Sequence, residues 1–294
     1  MMSAAVDAPY VLTLRCPDRK GVVAAVSGFL ADNNGSITES SHFNEAVTTQ
    51  FFMRTMFRAD GPGPQGRMPG IDALRRGFEL IASRFDMDWE LHDTGVRPRV
   101  LIAVSKLGHC LYDLLHRWRS GLLPVDVVGV VSNHEDMRSF TEWSGLNFHY
   151  LPVTRETRAV QETALLDLIA AERIDLVVLA RYMQILSPEL CAALTGRCIN
   201  IHHSFLPSFK GARPYTQAFD RGVKLIGATA HYVTSDLDEG PIIEQDTQRV
   251  NHGHGPQALV DIGRDAECHV LARAVTWHAE RRVIMNGTKT VVFS

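Results

Sequence analysis

Much that would assign this chain quickly is missing from it. There is no C-x-x-C pair, and the five cysteines, Cys16, Cys110, Cys191, Cys198 and Cys268, are scattered over 294 residues. An odd, dispersed set argues against a secreted disulfide framework or a zinc ribbon and fits a reducing compartment. No apolar run reaches the roughly 18 residues that span a bilayer, and "MMSAAVDAPYVLTLRCPDRKG" has no apolar core behind a basic start, so a cytoplasmic protein without a membrane partner is expected. A basic excess is lacking too: the formal net charge of −3 disfavours a nucleic-acid partner. Neither G-x-x-x-x-G-K-[ST] nor G-x-G-x-x-G follows the strand "VLIAVS", so Lys106 has no nucleotide fingerprint around it, and without G-x-S-x-G or H-E-x-x-H there is no nucleophile elbow or zincin helix. Low-complexity tracts and internal repeats are likewise absent.

What is present divides into two grammars. Hydrophobic content of 45% and charged content of 21% are those of a globular protein, and the length predicts about two domains. The opening "YVLTLRC" alternates as a strand. The following "PDRKGVVAAVSGFLADNNG" offers Asp18 as N-cap, an apolar face of Val22, Val23, Val26, Phe29 and Leu30, and Asn34-Gly35 as a stop. "SITESSHFNEA" and "VTTQFFMRTMFRA" read as a hairpin, "GIDALRRGFELIASRF" as a helix and "MDWELHD" as a closing strand, which together make a ferredoxin-like βαββαβ unit over residues 1–94. After the Gly- and Pro-broken "TGVRPR", short apolar runs ("VLIAVS", "VDVVGVVS", "FHYLPV", "DLVVLA", "CINI") alternate with helical stretches, so residues 95–294 are expected to form an α/β, Rossmann-like domain with a mostly parallel sheet.

Chemistry concentrates where "CINI" ends. Ligands of such sheets bind beyond the carboxyl ends of the strands, and that is where Asn200, His202 and His203 fall. An amide can donate to a developing oxyanion, an imidazole can relay a proton near neutral pH, and a carboxylate, here Asp238 in "LDEGP", can hold water. Taken singly, Asn200 and Asp238 also suit turns. The spacing of His202, His203 and His231 carries little zinc signal, "NHGHG" with His252 and His254 reads as a loop, and no metal is expected.

The stretches "INIHHSFLPSFKGARPY", "GATAHYVTSDLDEGPIIEQD" and "GRDAECHVLARA" resemble the formyltetrahydrofolate deformylases of the folate-dependent formyltransferase superfamily, and "CPDRKGVVAAVSGFLADNNGSI" with "FFMRTMF" resembles an ACT domain. The resemblance implies Asn200, His202 and Asp238 as the catalytic three, with Asp238 activating water and the other two stabilising the oxyanion. It implies a folate substrate contacting Arg181, Tyr182, Met183, Ile185, Leu186, His203, Gly211, His231 and Gly240, with His231 orienting the acid or packing beneath it. No bound cofactor is implied.

For the ACT half it implies an amino-acid effector pocket at Asp18, Gly21, Gly35 and Ser36, or alternatively a surface for homo-oligomer formation. Members of the superfamily that formylate a phosphorylated amine carry G-x-G-S-N after the first strand. The corresponding "AVSKLGHCLYDLL" has only Gly108, which leaves Lys106 and His109 to plug an acceptor pocket. Formyl transfer to an amine and a catalytically silent sensor are the competing readings. A methionyl-tRNA formyltransferase relative is disfavoured by the acidic balance.

Overall fold

The computed structural model describes residues 9–61, 67–206 and 214–294. The chain divides into two compact units, Met1–Arg97 with Glu280–Ile284 and Val291–Ser294, and Pro98–Ala279 with Met285–Thr290.

The first unit runs β1 (Tyr10–Pro17), α1 (Val22–Asp32), β2 (Gly35–Glu45), β3 (Gln50–Ala59), α2 (Ile71–Phe85) and β4 (Asp88–Asp93). Its sheet has the order β2-β3-β1-β4 and is antiparallel throughout, which is the expected ferredoxin-like arrangement. Alternation puts Leu12, Leu14 and Cys16 of β1 and Phe51, Met53 and Phe57 of β3 on one face, where they bury against Val22, Val26 and Leu30 of α1 and Leu74 and Phe78 of α2. The N-cap of α1 is Gly21, with φ 96°, and not Asp18. The Asp18 carboxylate instead accepts from Asn44 Nδ2 at 2.8 Å, and its amide donates to Thr49 O at 2.8 Å, so it ties the strand end to the β2–β3 turn. Val23 is 40% exposed because the buried stripe follows the i, i+4, i+8 line through Val22, Val26 and Leu30.

The opposite face of this sheet is also covered. Arg54 of β3 is 1% exposed; its Nη1 donates to Glu39 at 2.7 Å and its Nη2 to the Glu280 carbonyl at 3.1 Å. Arg282 reaches the same Glu39 at 3.5 Å and accompanies Arg54 there.

The second unit begins with β5 (Arg99–Val104), α3 (His109–Arg119), β6 (Asp126–Ser132), α4 (Arg138–Trp143), β7 (Asn147–Tyr150), α5 (Arg158–Ala171) and β8 (Leu176–Leu179). It continues with α6 (Pro188–Ala193), β9 (Cys198–His202), α7 (Pro214–Asp220), β10 (Leu225–Tyr232), β11 (Ile242–Arg249) and α8 (Pro256–Ala279). A short hairpin, β12 (Val283–Asn286) and β13 (Lys289–Val292), closes the chain; its residues fall in both compact units, a division the run of "VIMNGTKTVVFS" did not announce.

The large sheet has the order β11-β10-β9-β8-β5-β6-β7, parallel from β9 to β7, with β10 and β11 antiparallel at one edge. The chain winds outward from β5 through β6 to β7 and then returns to the other side of β5 as β8. That reversal opens a crevice at the carboxyl ends of β5 and β8. Helix α8 packs on β9, β10 and β11 and on α3 and α7, which brings its side chains to the same end of the sheet.

Arg54→Ala is expected to lower the unfolding free energy by about 3 kcal/mol, through the lost packing and an unpaired buried Glu280 carbonyl. Urea denaturation followed by the near-ultraviolet signal checks it; a change below about 0.5 kcal/mol, the usual size for surface sites, would contradict the buried role.

Candidate active site

The crevice is a cavity of about 590 Å³ lined by the ends of three strands: Leu107 and His109 after β5, Arg181 to Leu186 after β8, and Asn200 to His203 on β9. Asp238 and His231 close it from the β10 side.

Antiparallel pairing of β9 with β10 sets Asn200 opposite His231. A register shift between Ala230 and His231 follows on the β11 side, a local irregularity of the kind that re-aims a side chain. The His231 ring is fixed by its Nδ1, 2.9 Å from the Tyr232 carbonyl, which can only accept. Nδ1 therefore carries the proton and Nε2 accepts from Asn200 Nδ2 at 3.2 Å. Burial pushes the His231 pKa down, outweighing the raising effects of the Tyr232 carbonyl and Asp238, so the ring stays neutral in this tautomer. The arrangement orients the Asn200 amide and leaves its second N–H for another acceptor. His231 thus serves Asn200 first, while Asp238 Oδ1 lies 3.8 Å from its Nε2.

Asp238 Oδ1 is 3.2 Å from His202 Nδ1. Burial works to raise the Asp238 pKa, but the hydrogen bond from His202 and the fields of His202, His231 and His203 outweigh it and hold the carboxyl below its ordinary range. Two features place the carboxylate. Asp238 occupies the left-handed region at φ 57°, a conformation that a non-glycine residue keeps only under constraint. Gly240 lies so close to β10 that a Cβ there would stand 1.7 Å from the Tyr232 carbonyl oxygen. Gly240 is buried and serves this close approach; it is not among the residues lining the cavity. His202 is 4% exposed, and its Nε2 has no hydrogen-bond partner among the described residues. That nitrogen can bond a group within the cavity, which His202 lines.

The segment after β8 is held from beneath. Gln161 Nε2 donates to the Tyr182 hydroxyl at 2.9 Å, the Met183 amide to Ser105 Oγ at 3.0 Å and the Ser187 amide to Glu162 Oε1 at 2.9 Å, and Arg158 donates to the Ile185 carbonyl. Met183 and Ile185 are thereby presented outward, 59% and 62% exposed, beside the exposed Leu237. They form an apolar rim suited to a flat aromatic ligand.

The sequence reading missed an ionic wall. Glu267 on α8, 1% exposed, accepts from His109 Nε2 at 2.8 Å and from the Tyr215 hydroxyl at 2.7 Å, and Arg181 Nε lies 3.5 Å away. Arg181, at φ 65°, is the second left-handed non-glycine residue of the site. Partners 158 and 52 positions apart leave no local spacing to read; the carboxylate in "GRDAECHVLARA" was the visible trace. Ligand atoms of His109, Cys110 and Glu267 lie within 4.8 Å of one another, but a cation there would compete with the Arg181 guanidinium for the same carboxylate oxygen.

Of the expected contacts, Arg181, Tyr182, Met183, Ile185, Leu186, His203 and His231 line the cavity together with Asn200, His202 and Asp238, while Gly211 lies outside the described residues. Lys106 is exposed and does not line the cavity, in contrast to His109. The residues singled out for an effector separate within the first unit. Asp18 and Gly21 precede α1 whereas Gly35 and Ser36 follow it, and the 11-residue helix between them is about 16 Å long.

Burial, then the fields of Arg181 and His202, push the His203 pKa from 6.5 down to about 4, against raising effects from Glu267 and Asp238. Between pH 6.5 and 4 the unfolded chain binds a proton the folded one refuses, so this contribution to stability is complete above pH 6.5 and lost on acidification towards pH 4. His203→Gln is expected to shrink the fall in Tm between pH 7 and pH 5; an equal fall in both proteins would contradict the assignment.

Comparison with known proteins shows what the chain is similar to. The formyl transferase family matches residues 98–275 and the ACT domain family residues 10–63. A formyltetrahydrofolate deformylase of Corynebacterium sp. (strain P-1) is 53% identical over 96% of this chain and 97% of its own length. The crystal structure of a formyltetrahydrofolate deformylase from Burkholderia mallei superposes with a TM-score of 0.92 at 53% identity, covering 98% of this chain and all of that one. A glycinamide ribonucleotide transformylase from Symbiobacterium toebii matches 67% of this chain and 95% of its own, with a TM-score of 0.61 and 29% identity.

Proposed function

The chain belongs to the formyltetrahydrofolate deformylase family, and from that membership we propose that it hydrolyses 10-formyltetrahydrofolate to tetrahydrofolate and formate through Asn200, His202 and Asp238. The observation that carries the assignment of roles is the convergence of an oriented amide, a buried imidazole with an open Nε2 and a depressed carboxylate on one cavity wall.

The apolar rim of Met183, Ile185 and Leu237 takes the flat ring system of the folate, which points the formyl group at Asn200 and His202. Asp238 is ionised at neutral pH; with Oδ1 engaged by His202, its second oxygen accepts a hydrogen bond from water. Folate binding adds desolvation, which acts in the raising direction and moves the carboxylate towards a working base. As the water oxygen bonds to the formyl carbon, its proton passes to Asp238 and negative charge collects on the former carbonyl oxygen. The free Asn200 N–H and a protonated His202 Nε2 donate to that oxygen. Collapse breaks the bond from carbon to N10 as His202 Nε2 gives its proton to N10; Nδ1 keeps its hydrogen bond to Asp238, and as the products leave Asp238 releases the proton it took from water and His202 Nε2 takes one up. One water is consumed, and formate, a proton and tetrahydrofolate leave.

In this reading folate is the substrate, no resident metal or cofactor takes part, and the enzyme serves one-carbon metabolism and purine biosynthesis. No described helix is long and apolar enough to cross a membrane. The first unit supplies a partner surface: β2 is a sheet edge with Ile37 and Phe43 exposed, which suits pairing with a second copy and an amino-acid effector held between copies.

Asp238→Asn is expected to abolish formate release, and Asn200→Ala to lower kcat about a hundred- to thousandfold. Formate and tetrahydrofolate measured from 10-formyltetrahydrofolate without any amine check both; wild-type turnover in Asp238→Asn would remove the carboxylate from the mechanism.

A further inference from the structure

The three catalytic side chains account for one wall of the cavity, but they leave unexplained why a fully buried carboxylate stands on another. Glu267 has 1% of its side chain exposed, and both of its oxygens are already bonded, Oε2 to His109 at 2.8 Å and Oε1 to Tyr215 at 2.7 Å. Burial alone would raise its pKa, but the His109 hydrogen bond, the Arg181 charge and the Tyr215 hydrogen bond hold it low, so the carboxylate is ionised. Burial and the adjacent Glu267 push the Tyr215 phenol up, which keeps it protonated and donating.

The phenol is seated by shape as well as charge. Gly263 lies one helical turn before Glu267, and a Cβ there would stand 2.1 Å from Tyr215 Cζ, so only a bare backbone lets the ring lie across α8. Tyr215 in turn meets the His203 ring edge-on at 6.2 Å, and His203 meets His202 at 5.1 Å. A continuous file of side chains thus runs from the carboxylate of Asp238 through α8 to α3: Asp238, His202, His203, Tyr215, Glu267, His109.

Water and an amine differ in what they require here. Water needs room for one oxygen beside Asp238, whereas a primary amine must also lodge the substituent on its nitrogen. On this wall His109 and Tyr215 are both spent on Glu267. Displacing either of them would strand a buried carboxylate, which is strongly penalised. That a transformylase shares the fold means the choice of acceptor rests in side chains and not in architecture.

We infer that His109, Tyr215 and Glu267 close the acceptor side of the cavity and restrict formyl transfer to water. The inference rests on the deformylase reading above and assigns the three residues to specificity; none of them touches the reacting atoms. Opening the wall admits a second reaction: a primary amine nitrogen bonds to the formyl carbon and gives a proton to Asp238, the bond to N10 breaks as His202 Nε2 protonates N10, and an N-formyl amine leaves with tetrahydrofolate.

The test uses the full chain, 10-formyltetrahydrofolate and glycinamide as a small primary amine, and reads the ratio of N-formylglycinamide to formate by mass spectrometry. The wild type is expected to give formate almost alone. His109→Ala, which opens space, and Tyr215→Phe, which keeps the ring and removes only its hydroxyl, are each expected to raise the ratio about tenfold or more. Tyr215→Phe carries the test if His109→Ala does not fold. An unchanged ratio in a folded variant, whatever happens to total turnover, overturns the inference, because a merely structural role would slow both products alike. So does a wild type that formylates glycinamide as fast as it releases formate. A wild type that releases no formate at all, with or without amine, instead brings down the deformylase reading beneath it.

Discussion

The antiparallel register of β9 against β10 sets Asn200 directly across from His231, and the rest of the site follows from that pairing. It gives His231 Nε2 an amide to accept from and leaves the Tyr232 carbonyl to fix the other ring nitrogen. The same carbonyl is the surface on which Gly240 packs, so the turn carrying Asp238 is laid against the strand that holds His231. A slip of one residue would send every one of these side chains to the other face of the sheet. The register is guarded by burial: all but the first residue of β10 is buried.

Local backbone energy is spent where this geometry needs it. Asp238 and Arg181 both hold positive φ in sequences with no glycine to relieve them, each at a cost of about 1–2 kcal/mol. One aims the carboxylate at His202, and the other begins the segment that α5 and Ser105 hold in place beneath the apolar rim. The cavity therefore has one apolar wall, one that carries Asn200, His202 and Asp238, and one in which the buried Glu267 carboxylate is bonded by His109 and Tyr215.

Legibility in the sequence followed the range of the interactions. Period-two and period-3.6 patterns announced both units, the βαββαβ succession of elements and the alternation of apolar strands with helices that marks a mostly parallel sheet, because each pattern depends on neighbours within a few residues. Asn200, His202 and Asp238 were legible as chemistry only jointly, since each alone suits a turn or a strand end. Asp18 was misread as a cap because capping residues and turn residues share the same side-chain chemistry, and Asn44 of β2 and Thr49 of the β2–β3 turn claim it. Of the wall of His109, Tyr215 and Glu267 only His109 was singled out, because its members come from α3, α7 and α8 and meet only once the sheet has formed.

The central claim is that water, held by Asp238, takes the formyl group. It is tested most directly by running the reaction in ¹⁸O-enriched water without any amine and weighing the formate at short times. The account predicts formate carrying one heavy oxygen, appearing in step with tetrahydrofolate. Formate that appears only when an amine is supplied, or formate without the label, would contradict it.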